Sequence, residues 1–182
     1  MKNQLIGALV GGLILWIWQF ASFGPLQLHV SQMQHTPNQE AIIEMLSQNL
    51  EEGQYFIPRV PVGSSDEEQQ AYMAERVGKP WATVNYHSSM QNNFGMNLIR
   101  GFAVNFLAVF LLCWIFARMA KLDMKTCVMT SLFAGLIGYL TVTYINSAWF
   151  ETNSIPELID VFVGWGAVGL WLGYWLPGRL NP

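Results

Sequence analysis

Residues 98–117 read LIRGFAVNFLAVFLLCWIFA, with Arg100 and Asn105 the only strongly polar members. A helix crosses a bilayer core with about 20 apolar residues, so this stretch is long enough to span. It is apolar around its whole circumference, whereas a helix on the surface of a water-soluble domain carries a single apolar stripe. Three further stretches read the same way. Residues 5–23 are apolar apart from Gln19, residues 127–145 hold only hydroxyl residues as polar members, and residues 155–176 are apolar after an acidic first turn. The expected fold class is therefore an α-helical membrane protein with four transmembrane helices. A small α+β extracytoplasmic domain is inserted between helices 1 and 2. The expected division is residues 1–23 for the first span, 24–97 for the loop domain, and 98–182 for the remaining three spans with short loops.

Composition points the same way. Of 182 residues, 52% are hydrophobic and 12% charged, the latter roughly half the globular norm of about 25%. The net charge of −3 and the lack of a dense basic stretch argue against a nucleic-acid partner. The two cysteines, Cys113 and Cys127, lie in or beside apolar runs, so a disulfide framework is not expected.

A cleaved signal peptide is the competing reading of residues 5–23. The only small-x-small site is Ser22-Phe23-Gly24, with Pro25 directly after it. The apolar run also exceeds the usual signal core, so a retained anchor is expected. Lys2, the group Arg118, Lys121 and Lys125, and Arg179 all fall on one side of a four-span chain, while residues 146–154 carry no Lys or Arg. The excess of basic residues on cytoplasmic loops then places both termini in the cytoplasm. Trp16, Trp18, Trp114, Trp149 and Trp175 lie near the span ends, where an interfacial aromatic belt would put them.

Residues 24–97 read as a folded unit. Thr36-Pro37-Asn38-Gln39 is a helix start with Thr as cap, and Gly53 is a plausible stop. Gln54 to Ile57 suits a strand, Ser65-Asp66-Glu67-Glu68 is a capping box, and Trp81 to His87 alternates as a strand. The two strands are expected to pair. The unit is acidic, which fits either a solvated surface or a docking face for a cation or a basic partner.

His29, His35 and His87 all fall in this loop. Three imidazoles could bind zinc or copper, but only if the fold gathers them. The plainer reading is surface or interfacial histidines. No catalytic, phosphate-binding, dinucleotide-binding or zinc motif is present, so no cofactor is expected and the reading leans away from an enzyme without settling it.

The polar residues placed where polarity is costly are Arg100, Asn105, Glu157 and Asp160. Arg100 and Asp160 start from the same end of their helices at similar depth, which predicts an Arg100–Asp160 ion pair. Ser154 to Glu157 reads as a capping box, so Glu157 caps its helix. Asn105 reads as an interhelical hydrogen-bonding group. Small residues on each of the first, third and fourth helices, among them Gly7, Gly11, Ser131, Gly135 and Gly169, predict a closely packed bundle.

Several motifs carry a resemblance. They are Gly11-Gly12 with Trp16, Phe20-Ala21-Ser22, Asn38, the run Gly53-Gln54-Tyr55-Phe56-Ile57-Pro58 with Pro61, and Gly78-Lys79-Pro80. In these the chain resembles a group of uncharacterised bacterial four-helix inner-membrane proteins with an extracytoplasmic loop domain. The resemblance implies a multi-pass protein of the bacterial cytoplasmic membrane and carries over no active-site residue. The leading functional expectation is an accessory protein that sits in the lipid bilayer and docks a membrane or periplasmic protein through its outer domain. A small transporter or channel component and a membrane enzyme with an outward-facing site are the alternatives.

Overall fold

The computed structural model describes residues 1–179 and divides them into two compact units, 1–34 with 93–179, and His35–Asn92. Four helices are long and apolar enough to cross a membrane: Lys2–Phe23, Phe94–Phe116, Met124–Phe150 and Ile155–Trp175. The first is α1 and the second α4. The third is built from α5 (Met124–Gly138), a π-helical turn at Tyr139–Tyr144 and α6 (Ile145–Phe150). The fourth comprises α7 (Ile155–Asp160), a π-helical turn at Val161–Trp165 and α8 (Gly166–Trp175). The third span runs past the expected end at residue 145 because Asn146 and Ser147 stay helical, the Ser147 hydroxyl bonding back to the Tyr144 carbonyl at 3.0 Å.

α1 packs against both α4 and α8, and α5 packs against α8. Ala8, Leu15, Val109, Leu112, Cys113, Phe116, Cys127, Val168, Leu172 and Leu176 form the core. Close approach is made possible by missing side chains. A Cβ on Gly12 would lie 2.8 Å from the Phe106 Cα, and one on Gly169 would lie 2.7 Å from the Val128 Cα. The helices meet backbone to backbone there, as small-residue faces allow. Gly138, one turn beyond Gly135 in the same helix, has open space beside it. Leu5, Leu9, Leu13 and Ile17 recur every four residues along α1 and are all exposed. Such an apolar stripe turned outward suits hydrocarbon rather than water.

Three of the tryptophans near the helix ends donate inward. Trp16 Nε1 bonds the Leu98 carbonyl at 3.1 Å, Trp175 Nε1 the Asn3 carbonyl at 2.9 Å, and Trp18 the Asp160 carboxylate. Trp114 and Trp149 are exposed.

The His35–Asn92 unit contains α2 (Gln39–Asn49), β1 (Gly53–Ile57), α3 (Asp66–Arg76) and β2 (Ala82–Tyr86). The strands pair antiparallel with Tyr55 opposite Val84, and Phe56 stacks on Trp81 at 5.3 Å. Ser65 caps α3 in a full capping box with Glu68. α2 starts later than the Thr36 reading implies. The Thr36 hydroxyl accepts the Asn38 N–H at 3.3 Å in a local turn, and Asn38 becomes the cap position. Gly53 opens β1 instead of closing α2, which ends at Asn49 with Leu50 already extended. Residues 24–34 and 93–97, grouped by sequence with the loop domain, belong to the unit that holds the four long helices.

Candidate functional site

The densest polar cluster lies where α1 ends and α7 begins. α1 stops at Phe23 because Gly24-Pro25 follows, and proline has no N–H to continue the ladder. The chain then folds back over the helix end. The Leu26 N–H bonds the Ala21 carbonyl and the Leu28 N–H the Ser22 carbonyl, both at 3.0 Å. Gln27 takes a left-handed φ of 49° to complete this turn. The result lays the His29 ring flat on Phe23, with centroids 3.8 Å apart and planes within 4°. His29 is 1% exposed.

α7 supplies the acids. Glu157 and Asp160 are three positions apart and so share one helix face. Asp160 Oδ1 accepts from Ser22 Oγ at 2.6 Å and Trp18 Nε1 at 3.0 Å, and its Oδ2 meets His29 Nε2 at 2.9 Å. The other ring nitrogen, Nδ1, faces Gln32 Oε1 at 3.0 Å. The Gln32 amide then donates to the Asn153 carbonyl at 2.6 Å and to Glu157 Oε1 at 2.7 Å. Asn153 in turn donates to Ser31 Oγ at 3.3 Å. The turn after α1 is thus tied to the start of the fourth span by a chain of side-chain bonds.

This overturns the expected Arg100–Asp160 pair. The helix that Asp160 meets is α1, whose Trp18 and Ser22 take one carboxylate oxygen, while His29 takes the other. Arg100 is exposed on α4 and makes no ion pair among the described residues. Glu157 does not cap its helix either. The Ser154 hydroxyl is engaged by Tyr139 at 3.0 Å and Ser147 at 3.1 Å, and Asn153 Oδ1 takes the Ile155 N–H instead. Glu157 turns to Gln32, with His29 Nδ1 3.8 Å away.

Asn105 does bond between helices. It is 7% exposed and donates to Gln19 Oε1 at 2.7 Å, with a longer return bond of 3.4 Å. Of the other histidines, His35 is exposed, and His87 sits 3.2 Å from Glu52. Among the described residues, no group of three or more His, Cys, Asp or Glu side chains is placed to hold a metal ion.

Chemically the cluster is a buried imidazole between two carboxylates. It is not ordered as a nucleophile with its base, since the Ser22 hydroxyl points at Asp160 and not at the imidazole. Sequence reasoning read His29 as a surface or interfacial histidine or a metal-ligand candidate, Trp18 as a belt residue and Ser22 as part of a cleavage-like site, and did not single out Gln32. The one available signal was on α1, where Trp18 and Ser22 lie four apart and present two donors on one face. Comparison with known proteins found no matching family, no matching curated protein and no matching solved structure.

Proposed function

We propose that this chain is a multi-pass protein of the bacterial cytoplasmic membrane, with both termini cytoplasmic. In this reading residues 35–92 lie outside and dock a protein partner, and the role is accessory rather than enzymatic. The observation that carries the docking role is that no residue of the His35–Asn92 unit is buried. A two-stranded sheet with two short helices buries little apolar surface by itself. This one leaves Ile42, Ile43 and Met45 of α2 exposed, together with Val77 and Trp81. The same unit has eight Asp and Glu against three Lys and Arg. Exposed apolar side chains in an acidic unit suit a protein whose matching surface is apolar with a basic rim. It does not suit an anionic lipid surface, which attracts basic segments.

The test is a photo-crosslinking residue at Ile43 in intact cells, with a second probe at Ile17 as the lipid-facing control. The expected result is one discrete protein adduct from position 43 only, weakened by Glu40→Lys with Glu44→Lys, whose captured protein has a basic surface. Adducts with lipid alone, with a second copy of this chain, or unchanged by the charge reversal would overturn the docking reading.

A further inference from the structure

The hydrogen bonds around His29 fix how many protons the cluster holds. The Asn153 carbonyl can only accept, so the Gln32 atom 2.6 Å from it must be the amide nitrogen. Turning the Gln32 amide over would set its oxygen against that carbonyl and against Glu157 Oε1. Gln32 Oε1 is therefore the atom that faces His29 Nδ1 at 3.0 Å. An oxygen with only lone pairs needs a donor, so Nδ1 carries a hydrogen. The second ring nitrogen, Nε2, faces the Asp160 carboxylate at 2.9 Å, and a proton must lie between them as well. Two protons are thus shared by one imidazole and one carboxylate, whichever of Nε2 and Oδ2 holds the second.

We infer that His29 and Asp160 form a proton-binding site that latches the turn at Val30–Gln32 to the start of the fourth span, and that loss of one proton opens the latch. With a single proton left on the pair, either Nδ1 presents a lone pair to Gln32 Oε1 or Nε2 presents one to the ionised Asp160. Both are repulsive contacts at about 3 Å in a site where burial raises the cost of an unmade bond. Gln32 relieves the first by swinging away, which also ends its bonds to Asn153 and Glu157.

The charged groups that face the ring are few. α7 supplies Glu157 and Asp160, whereas α1 supplies only Trp18, Ser22 and Phe23. Among the described residues no Lys or Arg pairs with either acid. No resident cation can therefore replace the missing proton. Because the latched form binds one proton more than the open form, rising pH favours opening. The argument stands apart from the docking role of residues 35–92.

The experiment uses the full chain in lipid nanodiscs with ring-15N histidine, His29→Gln serving to assign the signal. In the latched form both His29 ring nitrogens should show protonated-type shifts or, with the proton on Asp160, Nδ1 alone. A bare Nδ1 would overturn the proposal. The second measurement is hydrogen–deuterium exchange over residues 28–33. Exchange in the wild type should rise with pH beyond its intrinsic increase, as a proton-held contact requires. In Asp160→Asn the new side-chain amide donates to Nε2 while its carbonyl accepts from Trp18 and Ser22. The network then closes with one proton on the ring, and the excess pH dependence should vanish. An excess that persists in Asp160→Asn, or is absent from the wild type, would also overturn it. Should Asp160→Asn fail to fold, the pH dependence of wild-type exchange still decides, because Nδ1 alone is also the ring state left by a single proton.

Discussion

Asp160 is a carboxylate near the end of an apolar helix, held by Trp18, Ser22 and His29. Its cost near the end of an apolar span follows from the sequence. The identity of what relieves it does not, since Trp18, Ser22 and His29 lie more than a hundred positions away in the chain. Asn105 is a simpler case. An amide deep in an apolar helix bonds to a neighbouring helix because apolar surroundings offer it nothing, and only the choice of Gln19 required the fold. At this scale the other unit offers a pH prediction. Hydrogen bonds from His87 and then Ser88 hold the exposed Glu52 carboxyl below its ordinary range. A depressed carboxylate stabilises the folded form above its unfolded value and loses that contribution as pH falls through the folded one. His87→Ala should therefore move the Glu52 midpoint up toward that of an ordinary glutamate. A carbon-detected NMR titration of wild type and variant checks this, and an unmoved midpoint would remove the contact.

The elements were legible to the extent that their causes are local. Four apolar runs became four long helices, and the Ser65–Glu68 capping box closes at the start of α3. Where two local signals competed, the outcome was not readable. Thr36 and Asn38 both suit a cap, and a hydroxyl turn moved the start of α2 to the second. Ser154 looked like the cap of α7, yet its hydroxyl is claimed by Tyr139 from the π-helical turn of the third span. The packing of the helices yields a paired prediction. Gly12 and Gly138 are both helical, but only Gly12 touches another backbone. Gly12→Ala should lower the thermal midpoint in detergent by an amount matching roughly 1–3 kcal/mol of overpacking. Gly138→Ala should be neutral or stabilising, by up to about 1 kcal/mol from helix propensity. Equal effects of the two would refute the α1–α4 contact as described.

For the whole molecule, the proposed topology makes a labelling prediction. Cys113 and Cys127 are buried, so in intact cells a membrane-impermeant maleimide should react with a cysteine placed at Ser65 and not with one at Lys121. Reaction at Lys121 alone would invert the proposed orientation. Four helices long and apolar enough to cross a membrane, and a separate acidic insertion, were written in the sequence, because length and apolar content are properties of a single contiguous run. Which helices touch was decided only by the tertiary structure, and so was the closing of the turn after α1 onto α7. An apolar run satisfies its own backbone bonds whatever lies beside it. A buried imidazole or carboxylate must find its partner across the bundle, and the stretch of sequence around it does not say which helix will stand there.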